Sequence, residues 1–221
     1  MTTTIRTRPG VVGRIRSRQS GMPTGVLGRL FGRAMVSATA GANDRAVAAL
    51  GLSEPRTVLD VGFGQGRTVA HLIRDGHRVL GVDASPTMVE QGTARNRAAC
   101  RDGRATLRLG DGVGVPFPDD SADAAITVHT IYFMPDPAAT LADIARVLKP
   151  GGALAIACRT SDTATPPWMD PDVYRIPSAV QIISMVHDAG FHQLEHEPGD
   201  GSNHDVHLFV AHLPRPSDGT P

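Results

Sequence analysis

The run Val58-Leu59-Asp60-Val61-Gly62-Phe63-Gly64-Gln65-Gly66 restricts this chain more than any other stretch. A short apolar segment breaks into three glycines at alternate positions, and Thr68-Val69-Ala70-His71-Leu72-Ile73 then opens a helix. Glycine serves where the backbone must take positive φ or where a ligand lies directly against it. The unpaired N–H groups of a helix start suit an anionic group. The pattern therefore reads as a strand, a nucleotide-binding turn and a helix.

A second acid supports that reading. Arg78-Val79-Leu80-Gly81-Val82-Asp83 is another short apolar strand ending in a carboxylate, and 83 − 60 places it 23 residues after Asp60. Doubly wound folds put the acid that accepts from ribose hydroxyls at about this distance. Asp83 is the candidate ribose ligand, while Ser85, ahead of Pro86, can cap the next helix.

Glycine spacing separates two cofactor classes. Dinucleotide enzymes use G-x-G-x-x-G around a pyrophosphate, whereas Gly62, Gly64 and Gly66 run as G-x-G-x-G behind Asp60. That acid repels a pyrophosphate and suits a ligand with an ammonium group. Four further signatures follow in order: Asp83-Ala84-Ser85-Pro86-Thr87-Met88; Gly110-Asp111-Gly112 with Val115-Pro116-Phe117-Pro118 and Ser121-Ala122-Asp123; Ile126-Thr127-Val128-His129; and Val147-Leu148-Lys149-Pro150-Gly151-Gly152 ahead of Ala153-Leu154-Ala155-Ile156-Ala157. Over about residues 56 to 158 the chain resembles the class I S-adenosylmethionine-dependent methyltransferases, of the small-molecule type.

The resemblance implies a Rossmann-like doubly wound α/β sheet, mostly parallel with an antiparallel last strand, and S-adenosylmethionine as cofactor, with S-adenosylhomocysteine as product. It places Gly62, Gly64 and Gly66 against the methionine moiety, Asp60 on its ammonium side, Asp83 on the ribose, and Ala84 and Met88 against adenine. Asp111 would accept from the adenine amino group, and Gly112 would present a backbone N–H. Asp111 also fits an ordinary turn aspartate before glycine. His129, at the end of the fourth strand, is the candidate base for the acceptor or, equally, a ligand of the cofactor. Tyr132, Trp168 and Tyr174 fall in expected pocket loops of an aromatic-poor chain and are candidate acceptor contacts, or loop anchors.

Strands are expected at about 57–61, 78–82, 105–109, 123–128 and 153–158, with helices at about 66–75, 86–100 and 137–148. An irregular segment from Arg159 to Arg175 precedes a helix opened by the Ser178/Gln181 capping box. Two closing strands, Phe191 to Glu197 and Val206 to His212, follow. The expected division is a disordered basic arm over 1–20, a helical cap over 21–54, the cofactor-binding core over 55–213 and a frayed tail over 214–221. In the cap, Leu27, Leu30, Phe31, Ala34, Met35 and Ala38 have helical spacing, and a second helix is expected from Asn43 to Leu50.

At 221 residues the chain supports one domain. Its formal charge of zero conceals an asymmetry, because seven arginines precede the first acid, Asp44. No apolar run reaches the length needed to span a bilayer, so no membrane partner and a cytoplasmic location are expected. Cys100 and Cys158 lack metal spacing and are expected as reduced thiols. The histidines from His187 onward, including His204 and His207, give no third ligand at metal spacing, and no metal is expected.

The expected activity is methyl transfer to a small or medium-sized organic acceptor by a monomer or homodimer. Two alternatives stand beside it: a nucleic-acid methyltransferase using the arginine arm, and a non-catalytic S-adenosylmethionine-binding subunit. Nucleic acid is disfavoured because His129-Thr130-Ile131-Tyr132-Phe133-Met134 replaces the Asn/Asp-Pro-Pro-Tyr/Phe run of many base amino-methyltransferases.

Overall fold

The computed structural model of the protein describes residues 9–23, 39–111, 113–200 and 205–215. Seven strands form one sheet: β1 (Thr57–Val61), β2 (Arg78–Asp83), β3 (Ala105–Leu109), β4 (Ala122–Val128), β5 (Leu148–Cys158), β6 (His192–Glu197) and β7 (His207–His212). Their order is β3-β2-β1-β4-β5-β7-β6. The first five are parallel, and β7 runs antiparallel to both β5 and β6. Chain order reverses at β1, which lies between β2 and β4. In open α/β sheets the crevice beyond the strand ends at such a reversal is where ligands bind.

The central strands are covered on both faces, which explains why they read as continuous apolar runs rather than alternating ones. Leu59, Val61, Leu154 and Ile156 pack with Leu141 and Ile144 of α6 (Pro137–Val147) and Ile182 and Val186 of α7 (Ala179–Asp188). On the other side Val58, Ile126 and Ala155 meet Val69 and Leu72 of α3 (Arg67–Arg74), Ala46 of the second helix, α2 (39–49), and Leu50 just after it. The capping box is present, with Ser178 accepting from the Gln181 N–H and the Gln181 side chain accepting from the Ser178 N–H.

Three boundaries differ from expectation. The 86–100 helix divides into α4 (Pro86–Arg95) and α5 (Arg97–Arg101) at Asn96, whose side-chain amide donates to the carbonyls of Gly92 and Gly66. Strand β5 begins at Leu148 rather than 153, because Leu148 pairs with Ala122 across an irregularity that Pro150, Gly151 and Gly152 accommodate. Residues 11–20 are not disordered but belong to α1 (Val11–Gly21).

The contacts that hold α1 account for this last correction. The Ser17 hydroxyl donates to the Trp168 carbonyl at 2.9 Å and accepts the Asp170 N–H at 2.9 Å. The Arg16 guanidinium lies 3.7 Å from the Trp168 ring centroid. The amphipathic stretch from Leu27 to Ala38, residues 1–8 and residues 216–221 lie outside the described residues. Among the described residues no helix is long and apolar enough to cross a membrane, and both cysteines are free thiols.

Candidate active site

The turn after β1 adopts the conformation its glycines permit. Gly62, Gly64 and Gly66 have φ of 80°, 55° and 71°, in the left-handed region that side chains resist. Two of the three are also forced by neighbours. A Cβ on Gly62 would lie 2.3 Å from Thr130 Oγ1, and one on Gly66 would lie 2.5 Å from Asn96 Nδ2 and 3.0 Å from the Gly92 backbone. The turn is thus clamped between the segment after β4 and the split in α4/α5.

Asp83 closes the turn from the side. Its Oδ2 accepts the Gly64 N–H at 2.8 Å and its Oδ1 accepts the Ser85 N–H at 2.9 Å. Burial raises its pKa, and these two N–H groups oppose that rise. Ser85 caps α4 by accepting from the Met88 N–H, and its hydroxyl donates to the Pro23 carbonyl at 2.6 Å. One hydroxyl therefore ties the end of α1 to the start of α4.

Asp60 lies within the core at 4% exposure, with a buried Oδ2 that has no hydrogen-bond partner. Burial, and then the neighbouring Asp83 carboxylate, push its pKa up to about 8. A buried carboxyl without a donor is costly in its ionised form. Asp60 therefore favours the arrival of positive charge over the turn.

Between these groups lies a cavity of about 240 Å³. Its walls include Gly62, Gly64, Asp83, Ala84, Met88, Asp111 and His129, so seven of the residues singled out in the sequence converge there. Asp60 and Gly66 lie behind this wall. Asp111 makes the turn contact open to it from sequence, accepting the Val113 N–H at 3.1 Å. Gly112 lies outside the described residues. The loop from Gly110 onward is held by Arg146, which donates to the carbonyls of Val115 and Phe117 and pairs with Asp119 and Asp143.

His129 has φ of 57°, its N–H donating to the Ala157 carbonyl at 2.8 Å. His129 lines the cavity, and its Nδ1 lies 2.6 Å from the Tyr132 hydroxyl. Burial, with a smaller effect from Arg159, lowers its pKa to about 4, so the ring is neutral at physiological pH. Burial holds the Tyr132 phenol well above its ordinary pKa, so it keeps its proton.

The three aromatic candidates are not brought to the cavity wall. Tyr132 and Tyr174 are buried, their ring centroids 5.5 Å apart, and Trp168 meets Tyr174 edge-on at 5.8 Å. They form a cluster behind the site, and only Phe133, 4.8 Å from Tyr174, reaches the wall. The aromatic rings thus support the wall from behind.

Several wall residues escaped the sequence reading. Ser20, Gly21, Met22 and Pro23 form one side, and Thr39 and Asn43 of α2 another. Asn43 accepts from the Thr68 hydroxyl at 2.9 Å, and Arg67 pairs with Asp44 at 3.3 Å, which fixes α2 over the glycine turn. Polar spacing around Asn43 and Asp44 was the only available signal. Among the described residues, no three His, Cys, Asp or Glu side chains gather as a metal site.

A reversed parallel sheet, a left-handed glycine turn and an acid at the end of β2 define a Rossmann-like nucleoside-binding domain. Residues 59–156 match the methyltransferase domain family. In fold and motif order the chain is similar to the class I S-adenosylmethionine-dependent methyltransferases. It is 42% identical over 107 residues to the demethylmenaquinone methyltransferase of Tropheryma whipplei, a match covering 48% of this chain and 43% of that protein. An O-methyltransferase of Aspergillus sclerotiorum is 28% identical over 156 residues, covering 67% and 59%. The chain thus aligns with roughly half the length of these curated relatives. A solved complex of the Haloferax volcanii Trm112 methyltransferase activator with a methyltransferase contains a chain matched at TM-score 0.71 and 25% identity, covering 90% of this chain and 97% of that one.

Proposed function

We propose that the protein transfers a methyl group from S-adenosylmethionine to a small or medium-sized organic acceptor. The observation that carries this reading is a pair of acids at one glycine-lined cavity, Asp83 in its wall and the neighbouring Asp60, whose buried Oδ2 lacks a donor, behind it. A ligand with an ammonium at one end and ribose hydroxyls at the other fits that polarity. When bound, the cofactor supplies an electrophilic sulfonium methyl. Gly62 and Gly64 bring backbone against the amino-acid end, Asp83 accepts from the ribose with lone pairs its two N–H donors leave available, and Met88 and Ala84 pack on the base. The quinone and O-methyltransferase relatives support an organic acceptor of modest size.

His129 suits orientation better than deprotonation. The Tyr132 hydroxyl makes no second hydrogen bond among the described residues, and a buried O–H left without an acceptor costs roughly 1–3 kcal/mol. The phenol proton is therefore directed at Nδ1, which leaves the imidazole proton on Nε2. His129 then offers the cavity a neutral N–H donor. Methyl transfer needs chiefly alignment, with the acceptor atom held about 3–3.5 Å from the methyl, and a fixed donor beside the acceptor supplies it.

Calorimetry with S-adenosylhomocysteine tests the cofactor assignment. Binding is expected to weaken by at least ~1.5–3 kcal/mol in Asp83→Ala, the range for hydrogen bonds to a charged group. Binding of NAD with no response to S-adenosylhomocysteine would overturn it. Radiolabelled methyl transfer to a panel of quinols, phenols and amines then identifies the acceptor.

A further inference from the structure

Helix α1 is built inside out. Only Ser17 and Ser20 are buried, while Val11, Val12, Ile15 and Met22 are 64%, 81%, 51% and 55% exposed. Val11, Ile15 and Arg18 are separated by four and three residues, so they lie on one face of the helix, and the exposed Met22 follows at its C-terminal end. Gly13, Ser17 and Ser20 lie on the other, against Pro9 and the Trp168 backbone. A surface helix of a soluble domain normally turns its apolar stripe inward.

This exposed face is basic as well as apolar. Arg14 and Arg18 are exposed on it or beside it, and the sequence places no acid before Asp44. The end of the same helix, Ser20–Pro23, forms part of the cavity wall. At the cavity's far side Leu109, 55% exposed, is followed by the lining residues Gly110 and Asp111.

We propose that α1 docks this protein on an anionic lipid surface, its apolar stripe entering the headgroup boundary and its arginines meeting lipid phosphates. A helix with apolar side chains on one face and arginines around it lies in the plane of an interface in this way. A second copy of the chain is a poorer occupant, since pairing α1 with itself sets Arg14 and Arg18 of one helix against the same cations of the other. The proposal departs from the sequence-based expectation of no membrane partner, which rested only on the lack of a spanning segment. It stands on α1 alone and does not depend on methyl transfer.

Co-sedimentation of the full chain with vesicles decides the matter, comparing phosphatidylcholine mixed with phosphatidylglycerol against phosphatidylcholine alone. Binding is expected only to the anionic vesicles and should fall steeply with salt. The double variant Arg14→Gln/Arg18→Gln should bind about 25-fold more weakly, at about fivefold for each arginine near such a surface. Val11→Ser/Ile15→Ser should lose roughly tenfold or more through its missing apolar burial. Thermal unfolding of both variants should match the parent, because these side chains face solvent. Absence of sedimentation with anionic vesicles, or equal binding by parent and variants, would overturn the proposal. So would a solution dimer that Val11→Ser/Ile15→Ser dissociates while vesicle binding persists, which would assign the face to a second copy.

Discussion

On the proposed reading, with a ligand ammonium beside Asp60, cofactor binding is expected to release a proton. With its pKa pushed up to about 8 by burial and by Asp83, the unliganded protein at pH 7 holds this carboxyl about 90% protonated by simple titration. A ligand ammonium over the glycine turn favours the ionised form. Full ionisation on binding expels up to about 0.9 proton, and the ligand amine, with a free pKa near 7.7–8.0, takes back only about 0.1–0.2. His129 adds nothing to this exchange, since its pKa of about 4 keeps it neutral throughout. Calorimetric titration at pH 7 in buffers of different ionisation enthalpy measures the net release, expected as a large fraction of one proton and absent in Asp60→Asn. The same shift sets a stability trend. A carboxyl whose folded pKa lies above its unfolded value binds more protons when folded, so stability falls as pH rises between about 4 and 8. At 1.36 kcal/mol per unit the loss is at most about 5–6 kcal/mol. Asp60→Asn should therefore stabilise the unliganded protein at pH 8 while weakening cofactor binding. Zero proton release, or a release undiminished in Asp60→Asn, would refute the reasoning.

Three further outcomes are expected. If His129 is an oriented donor, His129→Ala should lower kcat by about tenfold, with cofactor affinity nearly unchanged, whereas loss of a general base costs roughly 10²–10⁴-fold; Tyr132→Phe should reproduce part of that loss, and steady-state kinetics separates the cases. Gly62→Ala places a methyl group 2.3 Å from Thr130 Oγ1 at a φ of 80°. It should destabilise the fold by about 1–3 kcal/mol and abolish cofactor binding, as thermal unfolding and calorimetry would register. Removal of residues 1–23 should impair turnover more than cofactor affinity, because Ser20–Pro23 wall the cavity while Asp83 and the glycine turn remain; equal loss of both would contradict this.

The parts of the site legible in the sequence were those encoded locally. Gly62, Gly64, Gly66 and Asp83 lie within or directly after apolar runs, which mark them locally, although the clamps on Gly62 and Gly66 come from the distant Thr130 and Asn96. The antiparallel closing strand was legible only through the family resemblance. Helix α1 was illegible because the usual signal is inverted there: small polar residues face inward, and their partner, the Trp168 carbonyl, lies 151 residues away. Tyr132, Trp168 and Tyr174 were assigned to the cavity because loops after strands line it. Their gathering in a cluster was decided by packing against Phe133 and α1, which no local pattern records.

The electrostatics of the turn also separate the two cofactor classes that share this fold. A pyrophosphate drawn to Gly62–Gly66 would meet Asp60 beneath the turn and Asp83 beside it, and its charge would raise the ionisation cost of both. The Gly64 and Ser85 N–H groups there are already taken by Asp83. A sulfonium amino acid carries two positive groups against a single carboxylate. On the proposed reading its ammonium would stabilise the carboxylate form of Asp60, and its ribose hydroxyls would donate to Asp83. On that reading the carboxyl destabilised by burial in the free protein is the element that selects a cation, and the charge of the turn discriminates between the two cofactors more directly than its glycines do.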